Sequence, residues 1–377
     1  MSVTLADVAR AAKVSTATAS YALRNNPQVK PATAKRVLDA AKQLNYTGNI
    51  AASSLRQGRS GVIGVAVHDL SLAFSGQLAS ALSDAAAKHN YQVFIQQTNQ
   101  QGKRETDALK ELQLFCDGTV FFSGHLPPSA IKRFSKRKPM ILLDPRNHTN
   151  LFDTIFTPGR LGGKLAIDHL ASLGRTKPLI IGTNYARPEV LSSRADTSGS
   201  RLSGVQKACS QHNIPFGPKN TLGLPNWNAA EAYQAVKKIL DAKTWDFDAV
   251  FCFADEMAIA TMHALRQYGL RVPQDVAVVG FDGIPAGTYT TPTLTTIAID
   301  FQDLAEQSID LLLQRIEETT PEHHSGAEST TAQNISSGGH DGSSNRRGNG
   351  TRIGMGTGLE RLCVAGAVIP VARPSRC

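Results

Sequence analysis

The chain has 377 residues, of which 41% are hydrophobic and 19% are charged, a composition that can bury the cores of two or three globular domains. No apolar run approaches the roughly 18 residues that a membrane span needs, and Met1 to Arg10 lacks the apolar centre of a signal peptide, so we expect a cytoplasmic protein without a membrane partner. Five widely separated cysteines without a C-x-x-C pair predict no disulfide framework and no metal site. We expect no cofactor.

The net charge of +9 is unevenly distributed along the chain. Residues 1–60 carry nine basic and two acidic side chains, a net charge of +7. Such a local surplus is typical of a nucleic-acid-binding module, because clustered Lys and Arg gain free energy by releasing counterions from phosphates. The alternative from charge alone is a solvated basic surface.

The first 48 residues have the pattern of three short helices. Thr4 and Asp7 have the spacing of a capping box at the start of a helix from about Leu5 to Lys13. A second helix is predicted over Thr16 to Leu23 and a third over about Pro31 to Leu44. The second helix turns Ala19, Ala22 and Leu23 inward, and the third turns Val37, Leu38, Ala41 and Leu44 inward. The remaining face of the second helix, with Thr16, Ala17, Ser20 and Tyr21, has the polar character of a recognition helix in a helix-turn-helix.

Several stretches resemble the LacI/GalR family of bacterial transcription regulators. The segment "VTLADVARAAKVSTATASYALRNNPQVKPATAKRVLDAAKQLNY", the segment "NIAASSLRQGRSGVIGVAV" and the later "RLSGV" and "FADEMAIATMHALRQYGLRVPQDVAVVGFDGIP" follow the family order, and the resemblance covers about residues 3–317. It implies a sequence-specific regulator, most often a repressor, that binds a pseudo-palindromic operator in double-stranded DNA as a homodimer. The DNA-contacting residues that we expect are Thr4, Ser15, Thr16, Ala17, Thr18, Ser20, Tyr21, Asn25, Asn49, Leu55 and Arg56.

Residues 49–60 are similar to the hinge helix of the family. Ala51, Ala52 and Leu55 would lie on one face, and small alanines would let two such helices approach closely. In the family the equivalent leucine pair wedges into the central base step from the minor groove, and Arg56 and Arg59 would lie near flanking phosphates. The alternative is a flexible linker.

Residues 61–318 predict an α/β core, because apolar runs of strand length alternate with amphipathic helical segments. The resemblance implies two doubly wound lobes of the periplasmic-binding-protein type I kind, with a small effector in the cleft between them. Chain crossings between lobes are expected near 157–162, near Tyr289 to Thr293 and after about Glu318. Ligands of such sheets lie beyond the carboxyl ends of the strands.

The resemblance points to three principal effector residues. Arg201 matches an arginine that reaches the effector, with an ordinary surface arginine as the alternative; Asp255 matches an acid that accepts hydrogen bonds, with a helix cap as the alternative. Phe74 matches an aromatic against which a ring lies, or is a core residue. Asp69, Gln97 and Asp144 are further candidates, whereas His68 is expected to be a strand-end histidine.

Two departures from the family bear on the effector. Leu72-Ala73 stands where the family commonly has Asn-Pro, and Ala254 stands where it commonly has Asn before the acid. The effector, a sugar, nucleoside or related metabolite, is therefore expected to be less polar than a free hexose or differently shaped from one, or to act weakly, and the sequence does not choose among these alternatives.

The C-terminal segment 319–377 differs from the rest of the chain. Its Gly-, Ser-, Thr- and Asn-rich composition predicts disorder, with a last strand near 363–372. An inserted linker and a shifted reading frame are equally compatible with it. It has no leucine heptad, so we expect a dimer and no coiled-coil tetramer.

Two functions of other classes are alternatives to the regulator. A periplasmic-type small-molecule binding protein would share the core but would need an export signal and no basic head. An enzyme would need a nucleophile, base and orienting group at a recognisable spacing, and the sequence has none.

Overall fold

The computed structural model describes residues 3–23, 26–46, 59–99, 101–122, 124–145, 152–193, 196–243 and 245–319, together with three short strands within 353–369. The chain divides into two compact units, Met1–Gly61 and Val62–Cys377.

The first unit contains the three predicted helices, α1 (Leu5–Ala11), α2 (Thr16–Leu23) and α3 (Pro31–Gln43). Its core includes four side chains with no exposed surface: Val8, Ala19, Ala22 and Val37. The prediction that Leu38 points inward is wrong, because this side chain is 45% exposed. Ala41 is buried as predicted, and Ala40 is buried in addition, since the i+3 and i+4 positions that follow Val37 share its face of the helix.

The second unit consists of two α/β lobes. Lobe 1 begins with β1 (Val62–Val67), α4 (Ala73–Lys88), β2 (Gln92–Gln97), α5 (Gly102–Phe115), β3 (Gly118–Phe122), α6 (Pro128–Ser135), β4 (Met140–Leu143) and β5 (Asp153–Phe156). Lobe 2 contains α7 (Gly159–Ser172), β6 (Pro178–Ile181), α8 (Pro188–Ser193), α9 (Thr197–Gln211), β7 (Thr221–Leu222), α10 (Ala229–Asp241), β8 (Ala249–Cys252), α11 (Asp255–Gln267), β9 (Ala277–Asp282) and β10 (Thr295–Ile299). The chain then returns to lobe 1 as α12 (Phe301–Thr319).

Three further strands are described near the end of the chain: β11 (Ile353–Gly354), β12 (Arg361–Val364) and β13 (Ala367–Ile369). The lobe 1 sheet has the order β13-β5-β4-β3-β1-β2, and the lobe 2 sheet has the order β11-β12-β10-β9-β8-β6-β7. Strands β1 to β5 are parallel to one another, as are β6 to β10 and β12, whereas β11 and β13 pair antiparallel. This confirms the expected pair of doubly wound lobes.

The first crossing between lobes lies where expected, between β5 and α7. The second does not lie at Tyr289 to Thr293. It lies at Asp300, because β10 pairs in parallel with β9 and so still belongs to lobe 2. Strand β12 pairs with β10 and overlaps the stretch 363–372 that was expected to hold a last strand.

Two glycines bring α7 and α9 into close contact in lobe 2. A Cβ on Gly163 would lie 2.2 Å from the carbonyl oxygen of Arg201, and a Cβ on Gly204 would lie 2.0 Å from that of Arg160. The two backbones therefore touch, which fixes the position of Arg201 on α9. Within the described residues, no helix is both long enough and apolar enough to cross a membrane.

Candidate functional site

The N-terminal unit presents one face of helix α2. Thr4 and Asp7 form the predicted capping box of α1, with the Thr4 N–H donating to Asp7 Oδ2 at 2.9 Å and the Asp7 N–H donating to Thr4 Oγ1 at 3.3 Å. The hydrogen bonds from Thr4 lower the pKa of Asp7. Ser15 caps α2, since its Oγ accepts from the Thr18 N–H at 3.1 Å.

The outer face of α2 carries the side chains expected to meet DNA. Thr16 and Ala17 are exposed, Tyr21 is 44% exposed and Ser20 is half-buried. Ser15 and Thr18 also bond to each other, with their hydroxyl oxygens 2.8 Å apart. Asn25, Asn49, Leu55 and Arg56 lie outside the described residues, as does most of the expected hinge helix.

A buried arginine forms the centre of a second site in lobe 2. Arg201 is 2% exposed, and its guanidinium carbon lies 3.5 Å from the ring centroid of Phe281 and 5.1 Å from that of Trp227. Its Nη1 donates to the carbonyl oxygen of Phe253, and its Nη2 lies 3.8 Å from Asp282 Oδ1. The Nε has no hydrogen-bond partner among the described residues. Arg201 is thus no ordinary surface arginine.

Burial and three carboxylates act on this guanidinium in opposite directions. Loss of solvent lowers the pKa of Arg201, whereas the charges of Asp282, Asp144 and Asp255 raise it. Burial in turn raises the pKa of Asp282 well above its ordinary value, although the nearby Arg201 opposes this. Sequence reasoning missed Asp282, which ends β9 and precedes Gly283; its position at a strand's carboxyl end was the available signal.

Asp255 holds the turn that follows β9. It has no exposed surface, and its Oδ2 accepts from the N–H groups of Gly283 and Ile284, each at 2.8 Å. Its Oδ1 accepts from Thr296 Oγ1 at 2.5 Å. Burial raises the pKa of Asp255 to about 6. The alternative that Asp255 caps its own helix is wrong, because α11 has Ala254 at its N-cap and no side-chain cap hydrogen bond.

Asp144 connects the end of β4 to the first crossing. It is 6% exposed, and its carboxylate accepts from the N–H of Thr157 at 2.8 Å and from its hydroxyl at 2.6 Å. Burial raises its pKa, and the charge of Arg201 partly offsets that increase. The structure therefore brings Asp144, Arg201 and Asp255 into one buried cluster, joined by Asp282.

Aromatic rings line the carboxyl ends of the lobe 1 strands. The half-buried ring of Phe74 lies 5.6 Å from that of Phe122 and 5.4 Å from that of Phe301, and His68 stacks on Phe122 with centroids 3.9 Å apart. The other two lobe 1 candidates shape the loop between β1 and α4. Asp69 Oδ1 accepts from the N–H and hydroxyl of Ser71 at 2.9 and 2.7 Å, and Gln97 Oε1 accepts from the Leu70 N–H at 3.0 Å.

A hydrogen bond joins the two lobes beside these residues. The N–H of Ala73, at the start of α4, donates to Glu256 Oε1 of α11 at 2.8 Å. Ala73 precedes Phe74 and Glu256 follows Asp255, so the aromatic wall of lobe 1 (Phe74, Phe122 and Phe301) and the Asp255 side of the buried cluster flank the same contact between the lobes. Glu256 is a second residue that sequence reasoning missed. Within the described residues, no group of three or more His, Cys, Asp or Glu side chains could hold a metal ion.

Comparisons with known proteins match both the N-terminal unit and the core of this chain. Residues 4–49 match the model of the bacterial regulatory proteins of the lacI family, and residues 167–332 match a periplasmic binding protein-like domain. The ribose operon repressor of Halalkalibacterium halodurans is 30% identical over 83% of this chain and 90% of its own length. The transcriptional repressor PurR of Aliivibrio fischeri is 30% identical over 84% of this chain and 92% of its own length.

A solved structure extends the likeness to the whole architecture. The lac repressor dimer bound to operator and the anti-inducer ONPF is 26% identical, with a TM-score of 0.73 over 85% of this chain and 94% of that chain. The match of residues 4–49 to a regulatory head does not favour the alternative of a binding protein without DNA function.

Proposed function

Because the chain belongs to the lacI family of bacterial regulatory proteins and is a DNA-binding transcriptional regulator with an effector-binding core, we propose that its effector binds between the aromatic wall of lobe 1 and the Arg201 cluster of lobe 2. The residues proposed to contact or frame the effector are Asp69, Phe74, Gln97, Asp144, Arg201, Asp255 and Asp282. The head acts on operator DNA through α2, with Thr16, Ala17 and Tyr21 reading bases.

The observation that carries this proposal is the hydrogen bond between Ala73 and Glu256. It bridges the lobes immediately beside Phe74 and Asp255. A molecule that enters the cleft changes the geometry of that bridge, and a change in lobe spacing alters how the two heads of a dimer meet an operator. Effector and operator affinities are then coupled reciprocally, typically by about 1 to 3 kcal/mol.

The charges of the cluster favour a neutral effector that donates hydrogen bonds. Three buried carboxyl groups, those of Asp144, Asp255 and Asp282, surround a single guanidinium. A polyphosphate would meet these acids at close range, whereas hydroxyl or ring N–H groups would find acceptors. The named relatives, a ribose operon repressor and PurR, support a sugar or nucleoside class.

We further propose a role for each of four segments of the chain. Residues 1–48 form the DNA-binding head, 49–60 the hinge, 61–318 the effector-binding and dimerising core and 319–377 a divergent tail. The protein acts in the cytoplasm as a homodimer on a pseudo-palindromic operator, and it regulates without catalysing a reaction. The lac repressor structure, a dimer bound to operator, supports this arrangement.

Binding-site selection with the purified chain, followed by a screen of sugars, nucleosides and phosphorylated metabolites for altered operator affinity, tests the proposal. We expect Arg201→Lys to abolish the response to the identified compound while leaving operator binding without it largely intact. Lysine keeps the charge but cannot reproduce the planar contact with Phe281.

Lys207→Gln is the matched control, because Lys207 is an exposed basic residue on the same helix. It should respond as the wild type does. A normal response from Arg201→Lys would place the effector elsewhere, and selected sites without an inverted repeat would contradict binding of the operator by a pair of heads.

A further inference from the structure

A second concentration of positive charge lies far along the chain from the head. Residues 132–138 have the sequence KRFSKRK, with five basic side chains and no acid. Residues 61–377 carry a net charge of only +2, so the core would be net negative without the five basic side chains of this stretch. We call its four exposed members, Lys132, Arg133, Lys136 and Arg137, the α6 basic cluster.

Packing and a hydrogen bond hold the backbone that carries the α6 basic cluster, and nearby acids do not neutralise its charges. Phe134 is buried between its members, and its carbonyl oxygen accepts from Gln113 Nε2 at 2.7 Å. The neighbouring Lys138 turns its ammonium group to the carbonyl oxygen of Cys116. Within the described part of the chain, no member of the cluster forms an ion pair with an acid.

Sheet topology places the cluster at the edge of lobe 1 where the chain arrives from the head. In a parallel sheet all strands begin at the same edge, and β1 begins at Val62, directly after the first unit. The cluster ends α6 and precedes β4, which pairs with β3, which pairs with β1. Two strand spacings put the start of β4 roughly 10 Å from Val62.

The acidic side chains at this edge of lobe 1 leave the positive charge of the α6 basic cluster largely unopposed. Asp117 is half-buried between α5 and β3. Asp153 begins β5, beside β4, and pairs with Arg315 at 2.7 Å, and Glu111 of α5 accepts from Gln96 of β2 at 2.9 Å. Glu317 and Glu318 lie in the last turn of α12, and Glu318 also pairs with Arg315. Helix α12 packs with α4 in one core cluster, whereas α5 and α6 share the other, so these two acids lie on the opposite face of the sheet.

We propose that the α6 basic cluster binds the phosphate backbone of the DNA that the head has engaged. Because the head is joined to Val62 along the chain, a duplex bound by the head stays within the reach of the connecting segment from the edge that carries the cluster, which raises the effective concentration of its phosphates there. Clustered Lys and Arg bind phosphates by counterion release and need no base contacts.

An acidic protein partner fits this surface less well. Stable protein interfaces have an apolar centre and are depleted of lysine, but the apolar neighbours within α6, Ile131 and Phe134, are only 3% and 7% exposed. The exposed apolar residues at the end of α5 are Leu114 and Phe115. The Phe115 ring meets Phe94 of edge strand β2, on the far side of β1 from β4.

The test compares full-length wild type with the variant Lys132→Gln/Arg133→Gln/Lys136→Gln/Arg137→Gln. Dissociation constants are measured between 50 and 200 mM salt on a selected operator within a duplex of about 20 base pairs and within one of about 60. We expect the variant to bind the longer duplex several-fold more weakly, with a salt slope reduced by about 0.9 for each phosphate that it no longer neutralises.

Two further variants separate position from total charge. Lys207→Gln/Lys238→Gln/Lys243→Gln/Arg266→Gln removes the same charge from exposed positions in lobe 2 and should bind both duplexes as the wild type does. Lys132→Arg/Lys136→Arg keeps the charge of the cluster and should also retain affinity. The proposal would be overturned if the two fourfold variants had the same salt slope and the same affinity on both duplexes. That result would leave an acidic protein partner as the alternative ligand of the cluster. These measurements are made without effector. A negative result would therefore not bear on the proposed effector site.

Discussion

The N–H of Ala73 in lobe 1 donates to the carboxylate of Glu256 in lobe 2, 183 residues away along the chain. Helix α4 has no side-chain cap of its own, since Leu72 stands at its N-cap position. A carboxylate from the other lobe therefore satisfies one of the free N–H groups at the start of this helix, where the helix dipole also favours negative charge. Together with the hydrogen bond between Asp144 of lobe 1 and Thr197 of lobe 2, this contact links the two lobes at the site.

Removing that carboxylate should loosen the cleft. We expect Glu256→Ala to lower the free energy of unfolding by about 1 kcal/mol, the usual cost of removing a helix cap, and to shift the effector concentration that gives half-maximal release of operator. Urea denaturation and operator titrations measure the two effects. Glu256→Gln keeps an oxygen acceptor and should stay closer to the wild type. If Glu256→Ala matches the wild type in both assays, the bridge does not stabilise the cleft.

Asp255 should make stability depend on pH in a defined direction. Its pKa is raised by burial from 3.8 to about 6 in the folded protein. Between these values the folded state holds a proton that the unfolded chain has released, so this stabilisation is present below about pH 4 and is lost as the pH rises through about 6. Relative to Asp255→Asn, the wild type should lose about 2 to 3 kcal/mol from pH 4 to pH 7.

The measurement is the difference in unfolding free energy between the two proteins at each pH, because carboxyl groups outside the cluster contribute equally to both. Asp282 is the exception, since the charge of Asp255 raises its pKa, so the difference reports the titration of the Asp255–Asp282 pair. Asp275→Asn serves as a control that should stay nearly constant over this range, because Arg271 lowers the pKa of the half-buried Asp275 to about 2 and its contribution is lost only as the pH falls below about 4. A constant difference between wild type and Asp255→Asn across this range would show that Asp255 is ionised throughout.

Tyr21 is the exposed aromatic residue of α2 and should read a base. We expect Tyr21→Ala to relax the preference at one position in each half of the operator, worth about 1 to 3 kcal/mol against the wrong base, without changing the thermal midpoint appreciably. Binding-site selection with both proteins gives the comparison. Lys42→Gln, an exposed change at the end of α3, should leave base preference unchanged. If wild type and Tyr21→Ala select identical sequences, Tyr21 does not read a base.

Leu55, in the hinge stretch outside the described residues, is predicted to kink the operator. Leu55→Ala should fold and dimerise normally, bend DNA less and lose specific but little non-specific affinity, because an apolar wedge offsets the cost of unstacking with better contacts along the bent duplex. Gel-mobility bending assays and titrations against unrelated DNA measure these quantities. Equal bending and operator affinity in both proteins would favour a flexible linker.

Local chemistry determined the head. Thr4 and Asp7 are three residues apart, Pro31 occupies the first turn of α3, and the apolar positions recur at helical spacing. Each of these signals lies within about one turn, so the sequence by itself specified three helices and the outward face of α2. Leu38 was misplaced because the apolar pattern of α3 allows either Val37 or Leu38 on the inward face, and only packing against α1 and α2 selects Val37.

Tertiary structure decided the chemistry of the cleft. The sequence identified Arg201, Asp144 and Asp255 as separate candidates, but Arg201 lies on α9, Asp144 follows β4 of lobe 1 and Asp255 begins α11 of lobe 2. Only folding surrounds Arg201 with Phe281 and Asp282 and commits both oxygens of Asp255 to Gly283, Ile284 and Thr296. Burial and the pKa shifts that follow depend on neighbours distant in the sequence, and no local pattern encodes those neighbours.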